Sequence, residues 1–512
     1  SFSSSVAFKY SNPLTSLTGI LVIGVFHGDE PQGEALINSY LKENTDTNLL
    51  MLPRLNSCDT RVNCNGVDLN RNYPTKNWVL AEKNDYYGGE YPKSEDETVF
   101  LIDLIEKNQD ECGYFNIFHT VIEPDNRFKD RDHHELYCAG HLIEAGVAYF
   151  KATGKRALLD AMIKYADYIE KRFIIDRDTP FVTPGHEEIE LALVKLSLAT
   201  GEKRFLNFAH HLLEQRGHGY GSTGKPLMGR PAGGSYVHGQ WNPSYYQDEM
   251  PVRNLSVING HAVRAMYLFT GMADVAALKH DTAYVSALHR LWDNVVGAKM
   301  YVTGGIGSSR QNEGFTADFD LPNKEAYCET CASVGMVFWN QRMNQLTGDA
   351  KYADVMERSL YNGALAGISL QGDKFFYVNP LESDGKHHRQ EWYGCACCPS
   401  QISRFLPSIG NYIYGTSPDA LYINLYLGNE ADISLNGNGI KVRQITEYPW
   451  KGKVQILVEA GQPISQKLKM RIPGWCRQYT IKVDGKKVQP ILDKGYAVVE
   501  PNGKRQTTVV LE

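Results

Sequence analysis

Three cysteines fall within four residues in Trp392-Tyr393-Gly394-Cys395-Ala396-Cys397-Cys398-Pro399-Ser400, and a second pair frames an acid in Tyr327-Cys328-Glu329-Thr330-Cys331. Such crowding is poor geometry for a set of structural disulfides. In a chain of this size it reads as metal binding or thiol catalysis. Zinc favours four tetrahedral ligands, with sulfur at about 2.3 Å, and stabilises the thiolate form. Glu329, Cys331, Cys397 and Cys398 would complete such a set. Neighbouring Cys397 and Cys398 point in different directions, so both bind one ion only if the loop ending at Pro399 wraps around it. The competing reading is a group of buried free thiols or an incidental disulfide, and buried free thiols are what we expect of Cys58, Cys138 and Cys476. Spacing alone leaves the partner acids undecided.

The elements that must position these groups differ along the chain. Residues 1–108 read as α/β: Gly19 to Phe26 is a buried-strand run, Pro31 to Leu41 and Glu95 to Lys107 read as helices, and a loop-rich stretch runs from Asn56 to Pro92. Residues 109–415 are mostly helical, with a recurring unit of helix, Thr-Gly, then helix. It occurs at Thr153-Gly154, Thr200-Gly201 and Thr347-Gly348, with a weaker copy at Thr270-Gly271. Glycine after a last helical turn is the expected C-terminal cap. Repeated helix pairs stack as an array, here expected to be an incomplete α/α toroid resembling an (α/α)6 barrel. From 416 to 512 the period changes to two. Leu421 to Tyr426 and Val454 to Val458 read as strands, and Tyr479 to Val483 before Asp484-Gly485 signals a hairpin. That last domain is expected to be a β-sandwich.

At 512 residues the chain exceeds a single core, so the three-part division is the natural one. A net charge of −6 gives no reason to expect nucleic acid or an anionic membrane as partner. No apolar run approaches the roughly 20 residues that span a bilayer. The absence of a signal-peptide pattern leaves a reducing compartment, the cytoplasm, as the expectation. The 30 tyrosines and 7 tryptophans suit a sugar-binding cleft, although aromatics fill cores more often than they line clefts.

Seven motifs in order now carry a resemblance: HELYCAGHLIEA (His134 to Ala145), GHEEIELALVKL (Gly185 to Leu196), GHAVRAMYL (Gly260 to Leu268), KMYVTGGIG (Lys299 to Gly307), DLPNKEAYCETCASVG (Asp320 to Gly335), FFYVNPLES (Phe375 to Ser383) and WYGCACCPS. From about Gly113 to Glu512 the chain resembles glycoside hydrolase family 127, the β-L-arabinofuranosidase family. The resemblance implies that Cys397 is at once nucleophile and zinc ligand, with Glu329, Cys331 and Cys398 as the other ligands. It implies Glu313 as general acid/base, and His134, His186, His261 and Tyr377 as contacts to an L-arabinofuranoside. The chemistry is coherent. Retaining glycosidases usually use two carboxylates about 5–5.5 Å apart, and a metal-held thiolate can replace one of them.

The first hundred residues resemble a different family. His27-Gly28-Asp29-Glu30, followed by Arg61 and by Asn70-Arg71, is similar to a zinc carboxypeptidase. The resemblance implies His27 and Glu30 as ligands of a second zinc, Arg61 as carbonyl polariser, and Asn70 and Arg71 as a carboxylate clamp. It stops near Gln109 without a clear third ligand or general base. His119 lies at a suitable distance, but its flanks match the glycosidase. The chain therefore reads as a hybrid of two incomplete enzymes joined near Leu101 to Lys107, with glycoside turnover impaired by missing helices. Metallocarboxypeptidase activity and a non-catalytic carbohydrate-binding remnant are the alternatives.

Overall fold

The computed structural model describes residues 108–218, 243–395, 397–435, 437–501 and 503–512, together with the backbone of two short strands, β1 (Ile20–Ile23) and β2 (Leu49–Leu52), which pair in parallel. β1 lies inside the predicted Gly19 to Phe26 run. The two helices expected before residue 108 lie outside the described residues. The chain divides into two compact units, residues 1–208 with 220–235, and residues 209–219 with 236–512.

In the first unit, α1 (Glu135–Thr153) packs against α2 (Ala157–Glu170) and α3 (Ile189–Thr200). Helix α4 (Lys203–Gln215) follows in sequence. In the second unit, α5 (Ala262–Lys279) precedes α6 (Thr282–Asn294), and α7 (Thr330–Thr347) packs on both α5 and α8 (Ala350–Ser359).

The Thr-Gly repeat has a concrete physical basis. Helices α1, α3 and α7 end on Gly154, Gly201 and Gly348 in the left-handed region, at φ 71°, 78° and 64°. The preceding threonine does the same work each time. Thr153, Thr200 and Thr347 donate to the carbonyl four residues back, at 2.7, 2.9 and 2.7 Å. Each also accepts the N–H two residues ahead, at 3.1, 3.2 and 3.3 Å, which steers the chain into its return helix. The weaker copy fails. Thr270-Gly271 lies inside α5, which runs on to Lys279 and ends on His280 at φ 56°. A second recurrence was not foreseen: α2, α6 and α8 each widen into a π turn, at Lys171–Asp176, Val295–Lys299 and Leu360–Ala364.

The helical region is followed by a β-sandwich-like pair of sheets. One has the order β10 (Lys486–Val488), β9 (Ile481–Val483), β13 (Gln506–Leu511), β7 (Val454–Ala460), β6 (Asn438–Thr446), β5 (Asn429–Leu435), and the other β11 (Ile491–Asp493), β12 (Tyr496–Val499), β8 (Lys467–Arg471), β4 (Ala420–Ile423), β3 (Tyr414–Ser417). Val442 on β6 (Asn438–Thr446), Ile456 and Val458 on β7 (Val454–Ala460) and Val509 on β13 (Gln506–Leu511) share one buried core with residues of the other sheet. Those are Leu421 and Ile423 on β4 (Ala420–Ile423) and Met470 on β8 (Lys467–Arg471). Alternating burial along β6 places every second residue in that core. The expected hairpin is present: β9 (Ile481–Val483) pairs antiparallel with β10 (Lys486–Val488). Asp484 and Gly485 stand at φ 49° and 80°, the two positive angles of a tight primed turn. β4 pairs in parallel with β8, Ala420 opposite Lys467.

A buried guanidinium ties the sandwich to the helices within this unit. Arg471 is fully buried on β8; it reaches Asp354 at 2.6 Å, pairs with Glu357, and donates to the Asn424 carbonyl at 2.6 Å.

Candidate active site

Glu329 occupies the cap position of α7, yet its carboxylate makes no cap bond. It turns instead toward sulfur. Cys397 Sγ lies 3.4 Å and Cys398 Sγ 3.9 Å from Glu329 Oε1, and Cys331 Sγ lies 3.5 Å from Cys398 Sγ. One donor atom from each of the four residues falls within 4.8 Å of the others, so the sequence-predicted metal set is brought together. The loop expected to wrap the ion is not what positions Cys397 and Cys398. They begin a helix, α9 (Cys397–Phe405), whose first turn separates their Sγ atoms by 3.8 Å. Two helix N-termini, those of α7 and α9, therefore meet at the cluster, and their unpaired N–H ends favour negative charge there.

Glu329 and Cys331 are both almost fully buried, and burial holds their carboxyl and thiol groups well above the usual ranges. Glu329 Oε2 is buried with no hydrogen-bonding partner among the described residues. The Cys398 thiol is lowered to about 7 because Cys331 and Cys397 point their thiols at its sulfur. Three sulfurs and one carboxylate oxygen, with a buried acid oxygen left over, fit a tetrahedral zinc-class cation.

The acid/base candidate sits beside this cluster. Glu313, His261 and Glu329 also bring donor atoms within 4.8 Å of one another, so Glu329 belongs to both groups. A backbone clamp fixes Glu313. Ala262 N donates to the Glu313 carbonyl at 3.1 Å and Phe315 N to the Gly260 carbonyl at 2.9 Å. A side chain at Gly314 would stand 1.8 Å from the Gly260 carbonyl oxygen, so only glycine admits this approach. Glu313 is held at φ 48° and Cys328, just before Glu329, at φ 40°, angles that non-glycine residues adopt at a cost.

His261 caps α5. Its Nδ1 accepts from the N–H groups of Val263 at 3.2 Å and Arg264 at 3.4 Å. That network assigns the hydrogen to Nε2, which donates to Glu313 Oε2 at 2.9 Å. The donation lowers the Glu313 carboxyl below its ordinary range, with Tyr327 contributing a further hydrogen bond. Tyr377, held over Glu329 by a 3.1 Å bond from Thr330 N to its carbonyl, hydrogen-bonds the Cys397 sulfur. Burial raises the hydroxyls of both Tyr327 and Tyr377, which keeps them as proton donors.

In the first unit, His134 and His186 come together with ring centroids 5.8 Å apart, bridged by Tyr137, whose ring lies 4.3 Å from His186. His141 packs on Tyr137 at 4.4 Å and faces Glu188 at 3.5 Å. Tyr137, His141 and Tyr327 were not singled out from sequence, and the exposed Cys395, named with its cluster but given no role, hydrogen-bonds Cys397. All lie inside the sequence motifs, two to seven positions from a candidate site residue. His27 and Glu30 lie outside the described residues. Cys138, expected to be buried, is a free but exposed thiol, and Cys476 is half-buried. Among the described residues no helix is long and apolar enough to cross a membrane.

A helical array with a thiol-rich candidate metal centre, followed by a β-sandwich, defines the class of protein. The chain belongs to glycoside hydrolase family 127: residues 74–411 match the family's "Beta-L-arabinofuranosidase, GH127 catalytic domain" and residues 420–512 its middle domain. The catalytic-domain match thus begins upstream of the first motif quoted above. The chain is 38% identical over 436 residues to the non-reducing end β-L-arabinofuranosidase of Bifidobacterium longum subsp. longum, covering 80% of this chain and 66% of that relative. Its fold is similar to the crystal structure of a GH127 β-L-arabinofuranosidase from Geobacillus stearothermophilus, with TM-score 0.76 and 43% identity, covering 82% of this chain and 69% of that one. A second solved GH127 β-arabinofuranosidase matches with TM-score 0.74 and 35% identity over 87% of this chain and 73% of the other.

Proposed function

We propose that the chain is a retaining glycosidase that releases β-L-arabinofuranose, or a related sugar, from the non-reducing end of its substrate. Cys397 is the nucleophile and Glu313 the acid/base. The observation that carries this reading is the contiguity of two groups, Cys397 among the zinc-class donors and Glu313 beside His261, joined at Glu329. Zinc held by Glu329, Cys331, Cys397 and Cys398 would keep the sulfurs as thiolates at neutral pH, where a free thiol of pKa about 8.5 is mostly protonated.

The chain's own residues then divide the work. The Cys397 sulfur attacks the anomeric carbon as the bond to the leaving oxygen breaks, and Glu313 gives that oxygen its proton. Glu313, now a carboxylate, takes a proton from water, whose oxygen attacks the same carbon and expels the Cys397 sulfur. Two inversions give net retention. His261 donates to Glu313 Oε2 and Tyr327 also hydrogen-bonds the carboxyl, so the two orient it for proton transfer. Tyr377 steadies the sulfur as it gains and loses the sugar. His134, His186, His261 and Tyr377 are the proposed sugar contacts.

The test is hydrolysis of an aryl β-L-arabinofuranoside by the full chain, with mass spectrometry of the quenched enzyme. We expect phenol release and a pentosyl adduct on the Cys397 peptide. Turnover that survives Cys397→Ala, or an adduct on another residue, would refute the assignment. Bound substrate without turnover would favour a carbohydrate-binding protein.

A further inference from the structure

We infer that the first unit carries a second metal site, free of sulfur, in which His119, Glu123 and His133 bind a divalent cation of the zinc class. His119 lies on a short helix, Ile117–Val121; Glu123 follows two residues after its end, and His133 closes the turn Arg131–His133. One donor atom from each of the three falls within 4.8 Å of the other two. Two imidazoles and a carboxylate suit zinc, cobalt or nickel rather than calcium or magnesium, which prefer oxygen throughout.

The state of His119 makes this more than a surface coincidence. Its side chain is 1% exposed; Nε2 faces Glu135 Oε2 at 3.7 Å, and Nδ1 is buried with no hydrogen-bonding partner among the described residues. A buried ring nitrogen left without a partner is unfavourable unless something else satisfies it. Glu135 is itself anchored, accepting from the Tyr114 hydroxyl and from Phe128 N at 2.6 Å. A fixed carboxylate behind one imidazole nitrogen is the arrangement that orients metal-ligating histidines. The His119 and His133 rings stack at 5.2 Å with 27° between planes. Glu123 is half-buried and His133 exposed, so a cation can enter from solvent. His133 Nε2 also faces Asp130 at 3.7 Å, which adds negative charge nearby. Arg127, the nearby guanidinium, is engaged with Asp110 at 2.6 Å, the His119 carbonyl at 3.3 Å and the Thr120 hydroxyl at 3.3 Å.

A cation here would pin the short helix to the turn that ends one residue before His134, the residue that caps α1. The site would therefore hold the backbone that presents His134.

The experiment loads the full chain with zinc, removes excess, and counts retained zinc in wild type, His133→Ala and Glu123→Gln. It then repeats the loading with cobalt(II) and records absorption. Neither substitution touches a fully buried side chain, so both variants are expected to fold. The expected result is one fewer zinc per chain in each variant, with thiolate-to-cobalt absorption undiminished. The comparison is a difference between chains, so it stands whatever the thiolate cluster retains. Equal zinc in all three proteins, or a loss confined to the thiolate absorption, would overturn the second site.

Discussion

Two buried polar clusters in the second unit use the same kinds of group in opposite ways. Around Arg471 every charge is answered. Asp354 receives Arg471 at one oxygen and Gly474 N at the other, at 2.6 and 3.0 Å, and Glu357 receives Arg471 at one oxygen and the Tyr448 hydroxyl at the other, the latter at 2.8 Å. Around Glu329 the account stays open. One oxygen faces the Cys397 and Cys398 thiols, the other has no hydrogen-bonding partner among the described residues, and burial pushes the carboxyl up. A closed network rigidifies; an open one beside strained backbone marks a place kept for chemistry.

The sharpest way to break this contrast is at Cys397. Cys397→Ala should lower kcat on an aryl β-L-arabinofuranoside by on the order of 10⁴–10⁶-fold while thermal unfolding changes little; comparable loss of stability and activity would make the cluster structural after all. Glu313→Gln should lower kcat/KM by about 10²–10⁴-fold. The deficit should shrink as the phenol leaving group becomes more acidic, and a leaving-group-independent deficit would remove Glu313 from proton transfer.

Arg471→Met should do the reverse. It leaves Asp354 and Glu357 without their cation, and denaturant unfolding should register a loss of about 3 kcal/mol with kcat per folded molecule unchanged. The smallest effect concerns pH. His261 holds the Glu313 carboxyl low by donating to it, so removing the donor raises that carboxyl. The protonated acid then persists to higher pH. His261→Ala should therefore move the basic limb of the kcat/KM profile upward, by a fraction of a pH unit to about one unit. A downward move would contradict the assigned hydrogen on Nε2.

How much of this was legible depended on the range of the physics involved. Thr153-Gly154, Thr200-Gly201, Thr347-Gly348 and Asp484-Gly485 were readable because each turn is built by neighbours within four residues. Thr270-Gly271 misled because the dipeptide is a stop only where the following residues leave the helix, and α5 is buried along most of its length. The metal set was legible from residue type and resemblance, yet its scaffold was not. Cys397 looked like a loop residue because Pro399 suggested a stop, whereas proline in a first turn is well tolerated. The Arg471 network escaped because its partners lie far away in sequence, Glu357 being 114 positions from Arg471.

The parallel pairing of β4 with β8 has its own consequence. Ala420–Ile423 can form a hairpin with β3 (Tyr414–Ser417) as soon as both are synthesised. Its other edge must wait for Lys467–Arg471, the same strand that carries Arg471 into the helices. Strand β8 is thus the keystone in order of assembly. Until it arrives, β4 keeps an open edge and Asp354 and Glu357 lack their cation, so both contacts depend on long-range pairing, which forms slowly. A chain ending before residue 467 would expose both defects at once, and that interval is where chaperone binding should concentrate.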